Sequence, residues 1–182
     1  MSLLRLDGVA CHRGGRPLFE GLSLTLGPGE AALVTGPNGI GKSSLLRLAA
    51  GLLRPAAGTV ERAEAALADE QLALDERQRL AAALGFWVAD PAAGIGAMGL
   101  APLAGVPVRM LSTGQRKRAT LARVIASEAP LWLLDEPLNG LDADGRDRLE
   151  AAMAGHRAGG GAILAASHQP LALDGAKSVT LG

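Results

Sequence analysis

The spacing of apolar side chains sorts this chain into strands and helices before any chemistry is considered. Leu22, Leu24 and Leu26 alternate with Ser23 and Thr25 and run into Gly27-Pro28-Gly29, the pattern of a half-buried strand closed by a turn. Residues 1–30 as a whole read as short strands and turns. Ala31-Ala32-Leu33-Val34-Thr35 does not alternate, and an unbroken apolar run of this length fits a strand covered on both faces. Leu131-Trp132-Leu133-Leu134-Asp135 and residues 162–166 repeat that pattern, and 178–181 predicts a last short strand. Helices are expected over 44–50, closed by Gly51 and Arg54-Pro55, and over 72–85, where Leu74, Leu80 and Leu84 stand among charged neighbours. Two more are expected over 115–127 and 143–157, the second stopped by Gly159-Gly160-Gly161. Strands alternating with helices imply an α/β fold with a mostly parallel sheet flanked by helices. No internal repeat or low-complexity linker interrupts it.

Composition changes this picture little. A length of 182 residues suits a single domain over 1–182, and 48% hydrophobic with 20% charged residues is an ordinary globular balance. Eighteen basic residues offset eighteen acidic ones, so no global field points to nucleic acid or to an anionic membrane. The lone Cys11 excludes an internal disulfide framework, and the N-terminus lacks a basic-then-apolar signal pattern, so a cytoplasmic protein is expected. Residues 91–108 contain no charge and nearly reach bilayer length. They also contain Pro91, Pro102, Pro107, Gly94, Gly96, Gly99 and Gly105, which would leave backbone groups unsatisfied in lipid. That segment therefore reads as buried, partly looped protein, and any membrane work is expected of a partner.

The first chemistry lies between an expected strand and an expected helix. Gly36-Pro37-Asn38-Gly39-Ile40-Gly41-Lys42-Ser43 fits G-x-x-x-x-G-K-[ST], and its strand–loop–helix setting is the context this motif requires. The glycines let backbone N–H groups close around phosphate oxygens, and the following helix, with Ser44, adds its positive end. Lys42 reaches the β- and γ-phosphates, and the Ser43 hydroxyl is placed to ligate Mg²⁺. The loop alone says nucleoside triphosphate and no more. Asp135, closing a buried strand, can hold the magnesium, and Glu136 beside it can orient or deprotonate the attacking water.

Leu111-Ser112-Thr113-Gly114-Gln115, just before a helix, resembles the LSGGQ signature of ATP-binding cassette ATPases, with Thr113 in place of the first glycine. Ser112 reads as the cap of that helix, whose open end could face an anion. Asn139-Gly140-Leu141-Asp142 resembles the family's D-loop and Ser167-His168 its switch histidine, and the motifs follow the family's order along nearly the whole chain. The resemblance implies a cassette fold with an N-terminal antiparallel β part and a small helical subdomain near 72–127. It implies ATP and Mg²⁺ as ligands, and a homodimer in which Ser112, Gly114 and Gln115 of one copy cover the γ-phosphate bound by residues 36–44 of the other. His168 would touch that phosphate. The family's glutamine, a catalytic and metal-side group, falls on Gln71, with Glu70 the alternative, and the residue stacked on adenine on Arg13, with His12 the alternative. His156 and the basic run Arg116-Lys117-Arg118 read as structural or solvated, not as a nucleic-acid patch.

A finer resemblance lies in residues 11–19, 45–52, 130–137 and 168–171. They are similar to the small ATP-binding subunit of bacterial haem exporters used in cytochrome c maturation. That implies a peripheral protein at the cytoplasmic face of the inner membrane, a CcmB-like integral membrane transporter subunit, and cytochrome c maturation proteins as partners. The ATPase of another small importer or exporter, or a soluble cassette protein acting on ribosomes or DNA, would share the same motifs.

Overall fold

The buried positions of the first strands follow the sequence pattern. Leu24 and Leu26 are buried while Ser23 and Thr25 are exposed. The computed structural model describes residues 1–71 and 73–182. In place of short strands, the N-terminus forms two long ones, β1 (Leu4–Arg13) and β2 (Arg16–Leu26). They pair antiparallel with each other, and β1 pairs with β4 (Ala57–Arg62), giving the order β2-β1-β4. The apolar runs form β3 (Ala31–Thr35), β6 (Leu131–Asp135) and β7 (Ala162–Ala166), and the last two have every residue buried. With β5 (Ala65–Ala68) and β8 (Lys177–Thr180) they make a five-stranded parallel sheet in the order β5-β6-β7-β3-β8. The short polar-flanked strands β4 and β5 carry no periodic signal of their own; pairing with β1 and β6 makes them strands.

The chain divides into two compact units. The first, Met1–Asp69, Ala129–Pro137 and Ala154–Gly182, holds both sheets and α1 (Lys42–Ala49). Helix α1 lies against β1 and β4 of one sheet and β6 and β7 of the other. Its fully buried Leu45, Leu46 and Leu48 join Leu4, Leu6 and Leu26 in the core, each worth roughly 2–3 kcal/mol of transfer free energy.

The second unit is Glu70–Glu128 with Leu138–Met153. It contains α2 (Leu80–Gly85), α3 (Ala92–Ala97), α4 (Thr113–Ala126) and most of α5 (Ala143–Ala158). The helix expected over 72–85 is shorter, beginning at Leu80; Leu72 lies outside the described residues. An Asp75 carboxylate oxygen accepts the Arg77 N–H at 2.9 Å, a local turn that competes with helix, and the Gln78 carbonyl accepts from Val108 at 3.0 Å. The uncharged segment is protein core and loop: α3, then 3₁₀ turns at Ala101–Leu103 and Val108–Met110, with Ile95, Met98, Leu100 and Val108 buried. Among the described residues no helix is long and apolar enough to cross a membrane.

Candidate active site

Strands β6, β7 and β3 are neighbours in the parallel sheet, so the segments leaving their carboxyl ends emerge side by side. These segments are Asp135-Glu136, Ser167-His168 and the loop of residues 36–41. Crevices of this kind are where open α/β sheets bind ligands.

The loop needs its glycines for stated reasons. At Gly36, with φ 142°, a β-carbon would collide with the Leu181 carbonyl oxygen. At Gly41, with φ 117°, it would press on Leu18 at 3.1 Å and Phe19 at 3.3 Å. Gly41 caps α1 in the left-handed conformation, which leaves the first N–H groups of the helix directed into the loop. Lys42 is buried, and its ammonium donates to the carbonyls of Gly36 at 2.7 Å and Pro37 at 3.1 Å. Pro37, Asn38, Gly39 and Ser43 are exposed, Ile40 is half-buried, and Ser44 is buried under the first turn. On the same helix Arg47 pairs with Asp69, just beyond β5, at 3.3 Å.

Asp135 is 4% exposed, at the last position of β6. Glu136 follows with φ 44°, a left-handed conformation that a side chain disfavours, and its N–H is held by the Ala166 carbonyl at 2.8 Å. The sharp turn aims its carboxylate across to β7, where it meets the His168 Nδ1 at 2.8 Å and accepts the His168 N–H at 3.3 Å. Buried Ser167 fixes that corner: its hydroxyl donates to the Gln169 carbonyl and accepts the Gln169 N–H. The two residues assigned separately from sequence are therefore in direct contact. Gln71 and Glu70 are exposed in the second unit.

Within the second unit, Ser112 caps α4 as expected and the cap is reciprocal. Its hydroxyl accepts the Gln115 N–H at 3.2 Å, while Gln115 Oε1 accepts the Ser112 N–H at 2.9 Å. Ser-x-x-Gln is itself a sequence signal for this capping box. Ser112, Gly114 and Gln115 share a hollow of about 370 Å³ with Gly140 and Asp142 of the D-loop and with Arg118. Arg118, read from sequence as one of a solvated or structural run, is nearly buried between Asp142 and Asp144, bonded to both. The Arg118 guanidinium holds the Asp142 carboxyl below the ordinary carboxylate range; Arg148 first, then Arg118, does the same for Asp144. Asp142 also accepts the Gly145 N–H at 2.9 Å and so caps α5. One arginine thus joins the signature helix to the D-loop, an interaction 24 residues apart in sequence that no local pattern could announce.

The two alternatives for a base-stacking residue are both exposed at the end of β1, past a register irregularity between Cys11 and His12. His12 is tied to Glu20 at 3.0 Å, and Arg13 stands opposite Arg16 of β2. His156 is structural: its ring stacks on Trp132 at 3.9 Å, and burial lowers its pKa.

A phosphate loop on a parallel sheet, with an acidic pair and a histidine on the adjacent strands, defines a nucleoside-triphosphate hydrolase. The profile of the ABC transporter family matches residues 19–139, and the chain belongs to that family of ATP-binding cassette ATPases. It is 57% identical over 188 residues to the "Cytochrome c biogenesis ATP-binding export protein CcmA" of Sphingopyxis alaskensis, covering 99% of this chain and 97% of the relative. The protein of the same name from Novosphingobium aromaticivorans is also 57% identical, with 95% and 92% covered, and that of Zymomonas mobilis 52%, with 98% and 84% covered. Among solved structures, an ATP-binding subunit of an ABC transporter superposes with a TM-score of 0.84 at 22% identity, covering 91% of this chain and 79% of that one. A putative ABC transporter ATP-binding protein from Pyrococcus furiosus gives 0.83 at 18%, covering 98% and 96%. At those identities the structures speak for the fold.

Proposed function

We propose that this chain is the ATP-hydrolysing subunit of an export complex serving cytochrome c biogenesis, with haem as the cargo of the complex. The observation that carries the hydrolytic reading is the Glu136 carboxylate, turned out of β6 by a left-handed backbone and held by His168 beside the phosphate loop. The biogenesis role rests on relatives of that name at 52–57% identity.

In this reading residues 36–44 hold the triphosphate by backbone N–H groups, and Lys42 exchanges its loop carbonyls for the β- and γ-phosphates. Glu136 accepts a proton from, or orients, the water that attacks in line, and His168 fixes the carboxylate and reaches the γ-phosphate. Ser43 and Asp135 offer hard oxygen donors on adjoining elements, the chemistry that suits Mg²⁺, and with Gln71 they are the groups that would hold it. Bound there, Mg²⁺ neutralises phosphate charge. Arg13 supplies a guanidinium plane for the adenine. Ser112, Gly114 and Gln115 of a second copy complete the site, so the working form is a head-to-tail homodimer. It docks on a CcmB-like integral membrane subunit at the cytoplasmic face of the inner membrane, among cytochrome c maturation proteins, and nucleic acid has no part in it.

Glu136→Gln should retain nucleotide binding while turnover falls roughly 10²–10⁴-fold. Full turnover in that variant, measured by phosphate release, would remove Glu136 from the chemistry. Affinity purification of the tagged chain from detergent-solubilised native membranes tests the wider reading. Recovery of a multi-spanning haem-transport subunit supports it; recovery of ribosomes or an unrelated permease keeps the ATPase and discards haem export.

A further inference from the structure

One ion pair of the first unit stands where the chain leaves that unit. Strand β5 is the edge of the parallel sheet, four residues long and, among the described residues, paired with β6 alone. Its register ends with Ala68 opposite Leu134, so Asp69 falls one step on, beside the strand end that carries Asp135. Asp69 is also the last residue before the chain enters the second unit at Glu70, and Gln71 follows. A short edge strand gives this exit little backbone support. The Arg47 guanidinium supplies a side-chain tether, donating from Nη2 to Asp69 Oδ2 at 3.3 Å. Both side chains are largely covered, 28% and 17% exposed, so solvent screens this pair less than an open surface pair. The tether has a stiff base. Arg47 lies in the last turn of α1 between the fully buried Leu46 and Leu48, and its carbonyl accepts the Leu52 N–H at 2.9 Å. The same helix begins at Lys42, so one rigid element carries the phosphate loop at one end and grips the exit of β5 at the other.

We propose that Arg47 is a positioning residue for Mg²⁺ binding: through Asp69 it fixes the strand end from which Gln71 leaves, and so presents Gln71 to the metal. The inference rests on the reading above that Gln71 belongs to the magnesium site. Gln71 is two residues beyond Asp69, and two residues of untethered chain sweep a radius of about 7 Å. An ion pair at the root narrows that range before nucleotide arrives, so less conformational freedom is lost when the amide takes its place. A purely electrostatic role for the pair would act differently. Loss of the guanidinium would leave the Asp69 carboxylate unneutralised beside Asp135 and draw Mg²⁺ in, whereas loss of the carboxylate would leave a cation there and repel it. Positioning predicts that both losses weaken Mg²⁺ binding together.

The test uses the full chain carrying Glu136→Gln, so that binding is read without turnover, and follows a ribose-labelled fluorescent ATP analogue as Mg²⁺ is titrated. Arg47→Gln and Asp69→Asn should each raise the Mg²⁺ concentration for half-maximal binding roughly tenfold, the low end of what an outer-shell partner is worth to a metal site. Binding of the analogue in EDTA should not change, and Arg47→Lys should recover part of the Mg²⁺ affinity. In a Gln71→Ala background Arg47→Gln should have no further effect, the mark of two residues acting through one contact. Shifts of opposite sign for Arg47→Gln and Asp69→Asn overturn the proposal in favour of electrostatics. An equal loss with Mg²⁺ and in EDTA overturns it in favour of a structural role for the pair, and a shift undiminished by Gln71→Ala overturns the route through Gln71. If Gln71→Ala weakens Mg²⁺ binding and Arg47→Gln does not, the positioning role fails alone. If Gln71→Ala leaves the Mg²⁺ dependence unchanged, the magnesium reading of Gln71 fails and the positioning role with it.

Discussion

Glu136 holds its carboxylate in place at the expense of a left-handed backbone angle of 44°, a conformation that costs a non-glycine residue about 1–2 kcal/mol. Such strain persists where the surroundings impose it, here through the Ala166 carbonyl and the His168 contact. Lys42 is the opposite case, on ordinary helical backbone with its ammonium already among loop carbonyls. Lys42→Ala should lower phosphate-release turnover at saturating ATP by roughly two orders of magnitude, the usual effect of deleting one charge-stabilising donor; wild-type turnover would exclude it from the site. Both residues were legible in the sequence, because a motif fixes residue types at fixed offsets. The bond from Glu136 to His168 was not, since 32 residues separate them and only the adjacency of β6 and β7 closes that gap.

Among the elements, α3 shows why the uncharged segment resists reading. At Gly94 a β-carbon would run into the Ala122 carbonyl oxygen of α4, so the two helices meet backbone to backbone with small residues between them. Small residues give little hydrophobic periodicity, and the helix exists because of what it packs against. Gly94→Ala should lower stability by about 1–3 kcal/mol, read as a reduced urea midpoint; an unchanged midpoint would mean that this contact is not close. Strand β6 and helix α5 are joined by the Trp132–His156 stack, and here pH enters. Burial is the leading cause of the lowered His156 pKa, opposed by hydrogen bonds to the Ala162 and Pro130 carbonyls. The unfolded chain then takes up this proton before the folded one does. The stabilisation is complete above the ordinary histidine pKa and is lost as pH falls through it towards the folded value. The urea midpoint should therefore drop between about pH 7.5 and about pH 5.5, and His156→Gln should reduce the drop. An identical drop in that variant would place the proton elsewhere.

For the whole molecule, the phosphate loop and the signature belong to different compact units, and a complete site in the proposed dimer takes one from each copy. Glu136→Gln with saturating Mg·ATP should accumulate as a dimer in light scattering and return to monomer when the nucleotide is removed. A species that stays monomeric at saturation would count heavily against the sandwich arrangement. Arg118 bears on the same assembly, because it joins the signature helix to the D-loop inside one unit. The helix expected over 72–85 begins only at Leu80 for a related reason: Asp75, Arg77 and Gln78 close a local turn, and the Glu76 and Gln78 carbonyls accept from the segment before the signature.

The sequence by itself determined the α/β class, the buried strands at 31–35, 131–135 and 162–166, the helices that follow the loop and the signature, and the chemical identity of the nucleotide-binding motifs. Those features are written in nearest neighbours: a run of apolar residues, a capping serine, glycines at fixed offsets. Tertiary structure alone decided the strands β4 and β5, the helix α3, the burial of Arg118 and the contact between Glu136 and His168. Each of these depends on a partner distant in the chain, and the free energy of a non-local contact leaves no period in the sequence to be read.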